Sequence, residues 1–531
     1  MSTDTGDSTT IAGPQRRLAI LLAMAMFVLV VDTSIMNVSI SAVVHDIGTT
    51  VSGVQTAIAL EALVSAAFIL IGSKIGDLFG RKRAYLLGLC GYLVGALAMT
   101  VAQGLTIVVI CWAVVGGLGA ALLLPAMQSL IHGNFPGPVR KRVYALVGAA
   151  ASIAAAVGPL VGGFITTYLS WRVAFGLEAV VILVVLSGAG LVKDAPYVGE
   201  RSIDLFGAAL SVVGMGGVVL GVLVWQEGGE SVAALIVLGV GALLGLARWL
   251  VVRHRRARAT LIDPDLFRSP LFRLGVTQQM LQQIALGGAM ISLPIFLQMV
   301  LGYNAMLAGL SLAPLSLSMF AAALLAGKRA GRRRPATVVL TGFSLLVVGV
   351  GALLPIVPRA TAGWWLAVPL VIAGSGLGLL VSQLNNYTLS PVSQERVSEA
   401  AGVNSATGSF GLSFGLALAG AVMLAAVVSG FTTQTQASDV LPPDDKAHVA
   451  SVLKEDAQLM SDAQLQTLLA DEPADVSAEI MRINTEVRPR ALQIALLVPL
   501  LAGLAGVVGA LRMRRQPDPT PNEAAESVLG G

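Results

Sequence analysis

Charged residues punctuate long apolar runs along this chain. Residues 84–139 and 274–327 contain no Asp, Glu, Lys or Arg. At about 20 residues per membrane crossing, each of these runs holds two helices. The first should break near Gln103-Gly104, the second near Gly302-Tyr303-Asn304. Single charge-free runs cover 143–171, 205–226, 231–247, 335–358, 360–394, 400–438 and 491–511. Runs with a single acidic residue cover 18–44, 54–72 and 173–192. Together these predict an all-α membrane protein of fourteen transmembrane helices. Barrel strands are excluded because the runs lack a two-residue alternation. The run from Leu18 is too long for a signal-peptide core and shows no clear cleavage site, so it reads as a retained first span.

Composition sharpens the class. Hydrophobic residues make up 55% and charged residues 12%, with a mean hydropathy of +0.81. Soluble domains carry about 25% charge, so too little polar surface is available to cover a soluble globule. Disorder would require low hydrophobicity, which is absent. Cys90 and Cys111 lie in apolar runs, and His45, His132, His254 and His448 show no ligand spacing. Neither a disulfide framework nor a metal site is expected. There is no nucleophile–base pair and no Walker or dinucleotide signature, so the chain reads as a non-enzyme without a cofactor. With no ATP site, an ion gradient, read as protons, must supply the energy.

Net charge is +4, and its placement matters more than its size. With the N-terminus inside, only Arg172, Arg359, Lys446, Lys454, Arg482, Arg488 and Arg490 of the 34 Lys and Arg fall outside. That asymmetry predicts a multi-pass protein of the plasma membrane with both termini cytoplasmic. The bilayer is the surrounding partner, no nucleic-acid partner is expected, and the chain reads as a monomer.

Basic turns after spans two (residues 73–83) and ten (residues 327–334), and Gly/Ala-rich spans five and thirteen, point to an internal repeat. The predicted organisation is a cytoplasmic tail (1–17), a six-helix bundle (18–200), two additional helices (201–258), a second six-helix bundle (259–515) and a tail (516–531). The acidic stretch 430–490 is expected as an external loop, with short helices at 444–453 and 462–469 set off by Pro442-Pro443 and Pro473. Two halves with a site at the midplane between them is a recurring transporter plan.

Charges at membrane depth cost at least about 2.5–3.5 kcal/mol on insertion scales, so they mark candidate function. Asp32, Glu61 and Glu178 qualify as proton-coupling or substrate-binding residues: a carboxylate in a cavity can carry a proton or attract a cation. Asp204, at a helix start, reads as a cap. Gln278, Gln279, Gln282 and Gln283 form one polar stripe near a helix end. Candidate cavity-lining residues are Asn37, Trp112, Gln128, Met290, Phe296, Gln298, Gln383 and Asn386. Gln383, Asn385, Asn386 and Asn404 read equally as helix–helix hydrogen-bonding groups. Gly158, Gly162 and Gly163 permit close backbone approach, and Pro159 allows a bend.

Several motifs, in order, resemble the major facilitator superfamily, specifically its fourteen-span drug–proton antiporter branch. The resemblance covers roughly residues 18–515. Asp77, Gly80, Arg81 and Lys82 match the signature loop between spans two and three, with Ser73 in place of its first Gly. The resemblance implies a conformational latch there. Gly158-Pro159 and Gly162-Gly163 match the end of the antiporter motif, with Ala154 replacing an upstream Gly. The stretches 32–37, Trp171-Arg172 with Phe175, and 293–298 with Gly302-Tyr303 resemble the starts or ends of spans one, six and nine. In span four, Ala113 and Gly116 stand where many relatives carry Arg and Gln.

The reading that follows is a secondary active transporter exporting hydrophobic or cationic small molecules by proton-coupled alternating access. An exporter of lipid or cell-envelope precursors is the alternative, and a receptor or scaffold without transport is a weaker third.

Overall fold

The computed structural model describes residues 13–135, 137–194, 204–226, 231–328, 333–392, 396–441, 465–466, 469 and 473–517. Among the described residues there is no strand, and fourteen helices are long and apolar enough to cross a membrane. Spans 1 to 6 are Gly13–Val38, Val51–Phe79, Arg81–Thr100, Leu105–Ile131, Arg142–Tyr168 and Trp171–Leu191. Spans 7 and 8 are Leu205–Trp225 and Val232–Arg255. Spans 9 to 14 are Pro270–Val300, Ala305–Gly327, Pro335–Arg359, Gly363–Leu389, Glu399–Ala437 and Ala474–Arg514. An even number of crossings puts residues 13 and 517 at one face, here the near face. The end of span 13 and the start of span 14 lie at the opposite, far face.

Helix ends follow local chemistry. Thr50 Oγ1 accepts from Gly53 N at 3.0 Å and caps span 2. Ser170 caps span 6, and Ser269 followed by Pro270 starts span 9. Gly80 has φ +102°, a conformation that suits glycine, and this lets span 2 turn directly into span 3.

The helices pack in two matching sets. Span 1 packs on 5 and 6, span 2 on 4, and span 3 on 4 and 6. In the same order, span 9 packs on 13 and 14, span 10 on 12, and span 11 on 12 and 14. The halves meet through two further pairs, span 2 with 13 and span 5 with 10. These pairs exchange under the same correspondence, as a pseudo-two-fold axis along the membrane normal requires. Spans 7 and 8 pair with each other, and span 7 lies against spans 2 and 13.

The far face is closed in this conformation. Val43, Val44, Val51 and Val54 from the first half share one buried cluster with Met299, Phe431, Ile480 and Val487 from the second. Ser41 N donates to Gln298 Oε1 at 3.0 Å, and Met306 N donates to Thr167 Oγ1 at 2.9 Å, both across the halves.

The stretch 430–490 differs from the loop expected there. Residues 430–437 continue span 13, and 474–490 open the helix of span 14. Span 13 runs 39 residues and span 14 runs 41. At 1.5 Å per residue each reaches about 60 Å, twice the hydrocarbon thickness of about 30 Å. The polar flanks are therefore helical extensions. The expected helix at 444–453, and most of that at 462–469, lie outside the described residues.

Candidate functional site

The three membrane-depth carboxylates converge inside the first half. Asp32, Glu61 and Glu178 are all buried. Asp32 on span 1 is the best-partnered. Tyr92 of span 3 donates to its Oδ2 at 2.6 Å, and Trp112 Nε1 of span 4 sits 3.0 Å from both oxygens. Glu61 and Glu178 lie within electrostatic reach of Asp32, and Glu178 within reach of Glu61. Glu178 Oε2 is buried without a hydrogen-bond partner. The site is the junction of spans 1, 2, 3, 4 and 6.

Asp32 is thus enclosed by helices of its own half and does not line a passage between the halves. A direct contact with a cationic substrate does not fit that enclosure. Trp112, a candidate lining residue, is its hydrogen-bond donor. It is carried on a π-helical stretch, Val108–Gly116, and such local over-widening is common at functional sites. Its ring stacks edge-on against Phe175, with centroids 6.3 Å apart, and Phe175 against Trp171 at 6.1 Å. Trp171 Nε1 donates to Asp46 Oδ2 at 2.9 Å, and Arg172 pairs with the same carboxylate. An aromatic column therefore runs from Asp32 to an ion pair near the far face. Ala113, at the place of the usual span-four Arg, is fully buried.

The antiporter-motif glycines connect this cluster to the half–half interface. A Cβ on Gly158 would fall 2.6 Å from Ser34 Cβ, and one on Gly162 would fall 3.0 Å from Ile35 Cα, both on span 1 just beyond Asp32. A Cβ on Gly163 would fall 2.5 Å from Ala305 O of span 10. Pro159 O is 2.2 Å from the Cβ position of Gly309, also on span 10. Span 5 is therefore in backbone-close contact with the carboxylate helix on one side and with the second half on the other.

At the near face Arg81 Nη2 lies 3.3 Å from Asp77 Oδ1, an ion pair within one turn of chain. Asp194, at the end of the first half, accepts from Lys82 N at 3.1 Å, and it crowds the Cβ position of Gly80. The connection between spans 8 and 9 adds a second charged cluster. Asp263 pairs with Arg396 at 2.8 Å and its N–H donates to Glu399 Oε1 of span 13 at 2.7 Å. The ring of His254 lies between Asp263 and Asp265, one nitrogen toward each. Asp204 accepts from Gly207 N and from Trp249 Nε1, both at 3.0 Å, and so caps span 7 and ties it to span 8.

The remaining candidates scatter. Asn37 is buried, donating to Thr33 O at 2.8 Å, with its Oδ1 unpartnered. Gln298 sits on a second π-helical stretch, Phe296–Val300, and bonds the segment that follows span 1. Phe296 is core within the second half, packed with Phe343 and Leu346. Gln128 and Met290 are half-buried, Gln383 is buried, and Asn386 is exposed. The four span-9 glutamines do not form one solvated stripe. Gln278 and Gln282 are buried, while Gln279 and Gln283 lie against Gly408 of span 13. Tyr92 and Asp46 were not singled out from the sequence. Tyr92 sits in an apolar run with nothing to mark it, and Asp46 lies just outside the expected span.

Comparison with known proteins fits this geometry. The family model of the Major Facilitator Superfamily matches residues 22–416. The chain is 26% identical over 475 residues to a probable actinorhodin transporter of Streptomyces coelicolor, covering 87% of this chain and 82% of that protein. It is 31% identical over 412 residues to a cephamycin export protein of Amycolatopsis lactamdurans, covering 75% and 83%. Among solved structures, a bacterial homolog of the human lysosomal transporter Spinster, inward-facing and unoccupied, superposes with a TM-score of 0.63 at 11% identity. It covers 96% of this chain and 100% of that one, a likeness of fold alone.

Proposed function

Because the chain belongs to the major facilitator superfamily, in its fourteen-span drug–proton antiporter branch, we propose that it exports hydrophobic or cationic drug-like molecules in exchange for protons. It is a multi-span membrane transporter and not an enzyme. The names of its relatives, an actinorhodin transporter and a cephamycin export protein, support export of small molecules. Proton exchange, a plasma-membrane location with cytoplasmic termini, and action as a monomer are parts of the proposal.

One observation carries the coupling: three buried carboxylates meet at the helix that span 5 grips through Gly158 and Gly162. Each costs at least about 2.5–3.5 kcal/mol at membrane depth, which a merely structural cluster would not repay. Ionising all three would add mutual repulsion, since the charges that bear on Glu61 and Glu178 among the described residues are those of the other carboxylates. Gain or loss of one proton changes that repulsion. Span 1 then moves against span 5, and span 5 carries the movement to span 10. Substrate passes between the halves while the proton stays within the first.

The test is efflux from proteoliposomes under an imposed pH gradient, against a panel of cationic dyes. Gradient-driven accumulation of at least one dye is expected, abolished by an uncoupler. Transport indifferent to the gradient would refute the proton as driving ion. Orientation is checked by cysteine labelling at exposed Asp475, which should react only from outside the cell.

A further inference from the structure

Two of the three carboxylates have opposite surroundings, and the inference drawn from this rests on the proton coupling proposed above. Asp32 is surrounded by donors. Tyr92 Oη reaches one oxygen at 2.6 Å, and the indole N–H of Trp112 is shared between both at 3.0 Å. An indole N–H donates only, so it cannot receive a hydrogen from Asp32. A proton on either Asp32 oxygen would confront one of these donors or force it to turn. Glu178 is the reverse. It is buried, its Oε2 has no hydrogen-bond partner, and the titratable groups whose charge reaches it are Asp32, Glu61 and Tyr92. None of these is a cation. A carboxyl with a proton needs no counter-charge there, whereas a bare carboxylate would stand beside Asp32 without one.

We propose that the exchanged proton resides on Glu178, while Tyr92 and Trp112 are positioning residues that hold Asp32 as a standing hydrogen-bond acceptor. Loading converts the Glu178 carboxylate to the acid by taking one proton from one face of the membrane. Unloading returns that proton to the other face, one per cycle, with no other bond made or broken. Unloading places a second negative charge beside Asp32 and drives spans 1 and 6 apart. Span 1 passes the displacement to span 5 at Gly158 and Gly162. Asp32 must stay charged for this repulsion to exist, and its two donors favour that form.

Infrared difference spectra of the purified full chain in lipid, acid against alkaline, read the carbonyl stretch of a protonated carboxyl directly. Wild type should show one such band in the buried-carboxyl region that titrates. It should vanish in Glu178→Gln and persist in Asp32→Asn and in Tyr92→Phe. Glu178→Asp, which keeps the carboxyl, should retain a shifted band and serves if the Gln variant fails to fold. In proteoliposomes Glu178→Gln should lose gradient-driven efflux and keep downhill substrate exchange. A band that survives in Glu178→Gln, or disappears in Asp32→Asn, overturns the assignment. A wild type that transports dye but ignores the gradient sinks the coupling reading instead. The band needs no gradient and still reports where the proton sits.

Discussion

The two six-helix halves pack their helices in the same pairs but fill their interiors differently. The first half buries Asp32, Glu61 and Glu178. The second buries amides, Gln278, Gln282, Gln298, Gln383, Asn404 and Asn484, and, among the described residues, one cation, Arg488, which donates to Met299 O at 3.1 Å. An amide offers hydrogen bonds but cannot change charge. The fold is thus repeated while titratable membrane-depth acids occupy one copy. On the proposed coupling, one half is the engine and the other the surface it works against. The glycines of span 5 join the two.

The largest effect should follow from removing the charge of Asp32. In Asp32→Asn one acceptor oxygen becomes an NH2 donor, which Tyr92 can meet only by turning its hydroxyl to accept and which Trp112, a donor only, cannot meet. Leaving a buried polar group unpaired costs about 1–3 kcal/mol, and charged partners raise that. Gradient-driven efflux should be lost, with dye exchange measured in parallel. Glu61→Gln should instead keep gradient-driven efflux and change which dyes are accepted, since span 2, which carries Glu61, also packs on span 13 of the second half. Equal, complete loss in both variants would blur the distinction between the acids. Full activity in both would move the engine out of this cluster.

The fold was legible in the sequence because each membrane crossing leaves a long apolar run with no charge or a single one, which neither turns nor loops can imitate. The paired basic turns at 73–83 and 327–334 and the Gly-rich spans already pointed to two halves. The carboxylates were legible for the same reason, as lone charges inside those runs. Their surroundings were not. Tyr92 is one aromatic among apolar neighbours, and its hydroxyl matters only because span 3 faces span 1. The role of Trp112 depends on a π-helical stretch, and no residue type between Val108 and Gly116 announces one. Hence the sequence left Asp32 open as a proton-coupling or a substrate-binding residue, whereas the structure encloses it among helices of its own half. Phe296 and the span-9 glutamines misled similarly: helical spacing shows which residues share a face, not whether that face meets water or another helix.

The joint between the halves gives the next effect. In Gly309→Leu the new Cβ would sit 2.2 Å from Pro159 O. Overpacking of this kind costs about 1–3 kcal/mol, and every 1.4 kcal/mol is tenfold in a population. The far-closed conformation should lose about that much. A cysteine placed at Ser41 should then be labelled from the far side about five- to a hundredfold faster. The other joint is softer. Ser413 Oγ donates to Ala59 O at 2.6 Å, and Ser413→Ala removes that one bond at a cost of about 1 kcal/mol. If the two variants open the far face equally, the glycine joint has no special status.

Asp77→Asn should reduce transport more modestly without affecting membrane insertion. The carboxylate pairs with Arg81 one turn away, so its loss loosens the Gly80 turn without disturbing either interior. Exposed or half-exposed pairs contribute about 0–1 kcal/mol, enough to shift the inward–outward balance but not to unfold the chain. Dye efflux against surface-accessible protein measures it. Unchanged efflux would leave the basic residues of this turn with the topological role alone.

The smallest effect should come from the interior of the second half, and it tests the comparison most directly. Gln282 is buried and its Oε1 has no hydrogen-bond partner. Leucine is of similar size and removes the unpaired oxygen, a change that is nearly neutral or stabilising when no partner is stranded. Thermal stability in detergent should therefore hold or rise slightly, and gradient-driven efflux should be intact. The neighbouring turn supplies the control. Gln278 is also buried, with its amide oriented to donate to Gly506 O at 3.2 Å and to accept from Ala510 N at 3.1 Å, both on span 14. Gln278→Leu removes those two bonds, while Ala510 N and Gly506 O keep each other as i, i+4 partners in the span-14 helix, so it should cost about 1 kcal/mol of stability. Because no charge is involved, that loss should leave the pH dependence of efflux where it was. A Gln282 or Gln278 variant that stays folded but no longer responds to the proton gradient would place part of the engine in the second half, and the division between the halves would fail.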